Sequence, residues 1–204
     1  MRISETSFSF LEKDCMAAFG SKKGRELFQK TEITYQSLLR EVSDRGSKAI
    51  KEHLEQKLLP PAAYYKALQS EGIPQEEALE IVREESRKAA NQKKEKMKGL
   101  ARLPFAYLVY RLSVKGYMKK NFPAEGWRTQ WVECSGKEIH FDLHSCLYWE
   151  TVNVLGCPEL CSIYCENDEI AFSGLLPKIR FERAGTLGCG ARCCDFHFIN
   201  EQSK

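Results

Sequence analysis

A chain of 204 residues, 43% hydrophobic and 29% charged, has ordinary globular composition and room for one good core or two small ones. Its net charge of +3 at pH 7 is too small to argue for nucleic acid or an anionic membrane surface as a partner. The start carries no apolar run behind a basic end, and the most apolar segment, Leu100–Met118, is broken by Arg102, Arg111 and Lys115. Neither a signal peptide nor a membrane span is therefore expected, and a cytoplasmic location follows.

In chain order, Phe8, Phe10 and Leu11 suit a packed arm, and Cys15, Met16 and Phe19 suit the start of a helix. From about residue 24 to 42, Phe28, Thr31, Tyr35, Leu38, Leu39 and Val42 recur at helical spacing. Arg45-Gly46 breaks that helix, and Ser47 is placed to cap a short second one through Ile50, Leu54 and Leu58. Pro60-Pro61 should end it and open the next, which stops near Gly72. Pro74-Gln75-Glu76-Glu77 then starts a helix with carboxylates at the positive end of its dipole. That helix runs into the basic stretch Arg87–Lys98, best read as a solvated helix end because no aromatic residues interleave to stack on bases. Leu100–Lys120 is predicted to be a further, more buried helix.

After residue 122 the pattern changes. Trp127–Cys134 and Glu138–His144 alternate apolar with polar around Ser135-Gly136-Lys137, which predicts a β-hairpin. Cys146–Leu155 and Pro158–Cys165 read as short helices; Pro177–Thr186 and Cys193–Ile199 read as strands. The expectation is an α+β fold: a helical part over residues 1–122, then a cysteine-rich part over 123–204 with a small antiparallel sheet and inserted helices, together one compact unit.

Seven of the nine cysteines lie between Ile139 and Asn200. In a reducing compartment they are core residues, ligands or reactive thiols before they are disulfides. Cys157, Cys161 and Cys165 are spaced i, i+4, i+8, a helical stripe that fits packing better than structural zinc, which favours closer pairs from turns. His140, Asp142 and His144 share one strand face, which reads as a solvent face or, less simply, as an acid/base or metal site. Asp168 is expected at a helix C-terminus, where its charge opposes the dipole. Arg180 and Arg183, three apart, should point to opposite faces of a strand, so that at most one clamps a substrate carboxylate.

Cys146-Leu147-Tyr148, Gly156-Cys157-Pro158-Glu159-Leu160, Cys165-Glu166-Asn167-Asp168, Phe181-Glu182-Arg183, Thr186-Leu187-Gly188-Cys189-Gly190 and Cys194-Asp195-Phe196-His197-Phe198 together resemble the L-2-amino-thiazoline-4-carboxylic acid hydrolase family. The ending is also similar to 4-vinyl-reductase-like ligand-binding domains. Gly185 and the loop thiols Cys189 and Cys193 depart from the family pattern. The resemblance implies a bacterial enzyme of cysteine metabolism that opens a cyclic amidine to N-carbamoyl-L-cysteine, with a small-molecule substrate, no cofactor and no metal. It implies Cys146 or Cys165 as nucleophile or sulfur-side partner, with Cys194 nearby. Asp168 or Asp195 would serve as base or amidine partner, Arg183 as carboxylate clamp, and Thr186, His144 and Tyr148 as further substrate contacts. The alternatives are a small-molecule-binding or thiol-redox sensor module, or a Cys/His metal-binding protein.

Overall fold

A computed structural model describes residues 1–203. They form two compact units, Met1–Ala89 and Ala90–Lys204. The division falls inside a helix, whereas the sequence pattern changes only after residue 122.

In the first unit, α1 (Leu11–Phe19) and α2 (Ser21–Glu41) are joined by Gly20 alone. They can lie close because Gly24 has no side chain: a Cβ there would stand 2.3 Å from the Cys15 carbonyl oxygen. The buried face of α2 is Gly24, Leu27, Thr31, Tyr35 and Leu38, so Leu27 takes the place expected for Phe28. Ser47 caps α3 (Lys48–His53), accepting a hydrogen bond from the Ile50 N–H at 3.4 Å.

The Pro60-Pro61 pair does not separate two helices through a loop. A π-helical turn, Leu54–Leu58, carries α3 directly into α4 (Leu59–Ser70), whose first turn holds both prolines. Proline needs no N–H partner in a first turn, and the wider turn absorbs the missing bonds.

The long helix α5 (Gln75–Ala101) begins in the first unit and ends in the second. Several of its cations are paired one turn away, Arg87 with Glu84 and Lys98 with Glu95, as a solvated face requires. Helix α6 (Ala106–Asn121) buries Ala106, Tyr107, Val114 and Met118 but leaves Leu108, Val109 and Leu112 exposed, less buried than its composition suggested. Among the described residues no helix is long and apolar enough to cross a membrane.

The second unit carries a four-stranded antiparallel sheet in the order β1-β2-β4-β3. Its strands are β1 (Thr129–Cys134), β2 (Glu138–Leu143), β3 (Ile179–Glu182) and β4 (Cys194–Asn200), confirming an α+β fold. The hairpin joining β1 to β2 turns at Ser135-Gly136-Lys137 as expected, with a bulge between Trp131 and Glu133. One face of the sheet carries an aromatic layer. Phe141 stacks on Phe196 at 5.2 Å, and Phe172 meets Phe181 at 4.9 Å and Phe198 at 5.0 Å.

Helices α7 (Leu147–Val154) and α8 (Leu160–Phe172) lie between β2 and β3 in the chain. Cys146 is the N-cap of α7, and Cys157 lies outside α8. Helix α8 runs one further helical stretch than expected, to Phe172, so Asp168 is mid-helix and not at a C-terminus. Asn167 and Asp168 are poor helix formers, but burial of Leu160, Cys161, Ile163, Tyr164 and Ala171 outweighs that local preference.

Candidate functional site

The thiol-bearing site is built by α8, the start of β4 and the loop between β3 and β4. Cys161 and Cys165 are one turn apart on α8, and each thiol is the largest influence on the other through a side-chain hydrogen bond. That bond is the largest influence drawing the Cys165 thiol below its ordinary range; the Thr186 hydroxyl and the charge of Arg183 act in the same direction, against the effect of burial. Cys161 is pushed up, by Cys165 and by burial. The two thiols are thus shifted in opposite directions, Cys165 down and Cys161 up.

Thr186 is fixed by its own role as a cap. Its side chain accepts from the Cys189 N–H at 3.2 Å and opens the 3-10 turn Leu187–Cys189. Gly188 in that turn lies against Cys161, where a Cβ would stand 2.6 Å from the sulfur. The glycine is thus required by close approach to the thiol pair.

Arg183 follows β3, and its side chain is only 3% exposed. It donates to the Cys165 carbonyl at 2.8 Å and to Glu169 at 3.1 Å, and it faces Asp168 at 3.5 Å. The guanidinium lies over Phe181 and Phe196, 5.7 and 5.4 Å from the ring centres. Burial opposes its charge, but Asp168 and Cys165 sustain it. Arg180, by contrast, pairs with Glu182 and Glu201. Lys93 on α5 reaches Asp168 at 3.7 Å and lies 4.8 Å from the centre of the Phe172 ring.

Two further thiols sense the same charge. Burial pushes Cys146 up to about 12, against the N–H groups of Trp149 and Tyr148. Burial likewise pushes Cys194 up to about 11, although its sulfur accepts from the Leu187 N–H at 3.2 Å. Both are neutral thiols at neutral pH, and both feel Cys165. Tyr148 joins them through Tyr164, with ring centres 5.2 Å apart.

The structure thus brings together Cys146, Tyr148, Cys165, Asp168, Arg183, Thr186 and Cys194. It does not bring Asp195 or His144 to them. Asp195 alternates with Cys194 along β4 and accepts from the N–H groups of Ala184 and Gly185 at 2.9 and 2.7 Å, pinning the loop after β3. His144 sits just past β2 with its ring 3.1 Å from Gln130. Cys161, whose spacing suggests packing, also belongs to this group; its i, i+4 relation to Cys165 is the signal in the sequence. Among the described residues no disulfide joins the cysteines.

A second polar group, separate from these thiols, lies among the alternate residues of β2 and β4: Glu138, His140, Asp142, Asp195 and His197. These are half-buried, not the plain solvent face expected for His140 and Asp142.

No curated protein and no solved structure matches the chain. A model of the L-2-amino-thiazoline-4-carboxylic acid hydrolase family matches residues 51–198, nearly three quarters of it. The match includes the Cys146–Cys194 constellation, and the chain belongs to the L-2-amino-thiazoline-4-carboxylic acid hydrolase family.

Proposed function

We propose that the chain is a thiol-dependent hydrolase that opens L-2-amino-thiazoline-4-carboxylate to N-carbamoyl-L-cysteine. The observation that carries this reading is the divergence of neighbouring thiols. Around the buried Arg183, its charge, the Thr186 hydroxyl and the contact with Cys161 draw the Cys165 thiol below its ordinary range, while burial pushes Cys146 and Cys194 up. Family membership supports the reaction class.

In this scheme the Cys165 thiolate adds to the ring carbon that bears sulfur and two nitrogens. The carbon–sulfur ring bond breaks, and the leaving sulfur takes the proton of Cys194. The substrate is then held on Cys165 as a cationic isothiouronium, whose charge Asp168 balances. Water adds to the same carbon of the isothiouronium, the carbon–sulfur bond to Cys165 breaks and Cys165 departs as the thiolate; one proton of the water restores Cys194, the other passes to solvent, and the urea carbonyl remains. Arg183 is already engaged by Asp168, Glu169 and the Cys165 carbonyl, so its part is to sustain the thiolate and hold Asp168. Lys93, beside Asp168, is the cation in place for the substrate carboxylate.

The test is turnover by the full chain, followed by product mass. The product should be heavier than the substrate by one water. Cys165→Ala should abolish turnover, and Cys134→Ala, away from the site, should leave it unchanged. Full activity in Cys165→Ala, or no turnover by the unaltered chain, would overturn the reading.

A further inference from the structure

We propose that Glu138, His140 and His197 form a binding site for a divalent first-row transition metal ion, zinc being the best match. The sheet register sets the two histidines directly opposite each other on β2 and β4. Their rings stack with centres 3.8 Å apart. Glu138, one pleat away on the same face of β2, meets Nδ1 of His197 at 2.5 Å. One donor atom from each of the three lies within 4.8 Å of the others, close enough for small rotations to bring them onto one ion. Two imidazoles and a carboxylate suit zinc and its neighbours, and leave a position open for water or a ligand.

The surroundings match such a site. Metal-bound histidines usually donate the N–H of the second ring nitrogen to an outer partner, often a carboxylate. Asp195 stands 3.6 Å from Nε2 of His197, and Asp142 stands 3.1 Å from Nε2 of His140. Each ring would then keep its proton toward its own aspartate and offer Nδ1 to the ion. Asp195 is itself anchored by two backbone N–H groups, which makes it a rigid outer partner. Three carboxylates around two imidazoles also leave an excess of negative charge that a divalent cation offsets. All five side chains are between 18% and 29% exposed, so an ion can enter while its water shell is partly replaced. Cys193, whose thiol reaches Asp142, is at the rim and is not a ligand in this proposal.

The site does not depend on the thiol chemistry of Cys165, so the two can fail separately. The test uses the full chain carrying Cys193→Ser, titrated with zinc against a chromophoric chelator and with cobalt followed by its electronic spectrum. One equivalent should bind. The cobalt complex should show visible bands without the near-ultraviolet charge-transfer band of a thiolate ligand. His140→Ala and His197→Ala should each weaken binding at least about a hundredfold, since even outer partners are worth ~10–100-fold. Glu138→Gln, which keeps shape and hydrogen bonding, covers the case in which a histidine variant does not fold. It should weaken binding about tenfold and lose most of the zinc-dependent rise in melting temperature. No binding, a thiolate charge-transfer band, or unchanged affinity in a folded histidine variant or in Glu138→Gln would overturn the proposal.

Discussion

Cys165 lies one turn beyond Cys161 on α8, and the Cys161 thiol is the strongest influence on the Cys165 thiol. It converts a spacing that suggested packing into a polarised pair. Alkylation of Cys165 by iodoacetamide should therefore have its pH midpoint below the ordinary cysteine value of 9.0. Cys161→Ala should move that midpoint up. Peptide mapping of the alkylated chain across a pH series checks both; an unmoved midpoint in Cys161→Ala would count against the hydrogen bond as the cause.

The neighbouring thiols predict alkaline sensitivity. Cys194 and Cys146 have folded values raised from 9.0 to about 11 and about 12, because burial disfavours the thiolate. Above the unfolded value the unfolded chain has lost these protons while the folded chain keeps them, so stability falls as pH rises from about 9 toward 11–12. Below 9 their contribution is fully present. Urea unfolding between pH 8 and 11 should show that slope, and Cys146→Val should flatten it.

Gly188 is predicted to be intolerant of a side chain. A Cβ placed 2.6 Å from the Cys161 sulfur must displace that thiol. Gly188→Ala should cost about 1–3 kcal/mol, the usual range for overpacking. It should also raise the alkylation midpoint of Cys165. The comparable change at Gly99, where a Cβ meets nothing within 4 Å, should do neither.

Arg183 is buried, but Glu169 and Asp168 on its other side are partly open to solvent. The loss in Arg183→Met should therefore be in the range for hydrogen bonds to a charged group, about 1.5–3 kcal/mol, and not that of a fully buried ion pair. Denaturant unfolding measures it. The same variant should raise the Cys165 midpoint, because the positive charge that helps hold the thiolate is gone.

The fold class was readable because two periodicities are cleanly separated along the chain. Residues such as Thr31, Tyr35 and Leu38 repeat at helical spacing, and Ile139, Phe141 and Leu143 alternate, which burial on one face requires. The Ser47 cap and the hairpin turn at Gly136 followed from local chemistry alone. Local rules failed where packing overrode them. Helix α8 passes through Asn167 and Asp168, and the proline pair is taken up in a π turn without a break.

The sequence by itself determined which residue types are available to this protein: a run of cysteines with Asp168, Arg183 and Thr186 among them, and histidines at alternate positions of two strands. Those follow from composition and period. Only the tertiary structure decided which of them meet. Antiparallel pairing of β2 with β4 sets His140 against His197, and the turn after β3 brings Thr186 and Gly188 onto Cys161 and Cys165. The physical reason is that a thiol's charge state depends on its nearest donors and cations, and these come from segments far apart in the chain. The i, i+4 spacing alone could not say which thiol of the pair is drawn down.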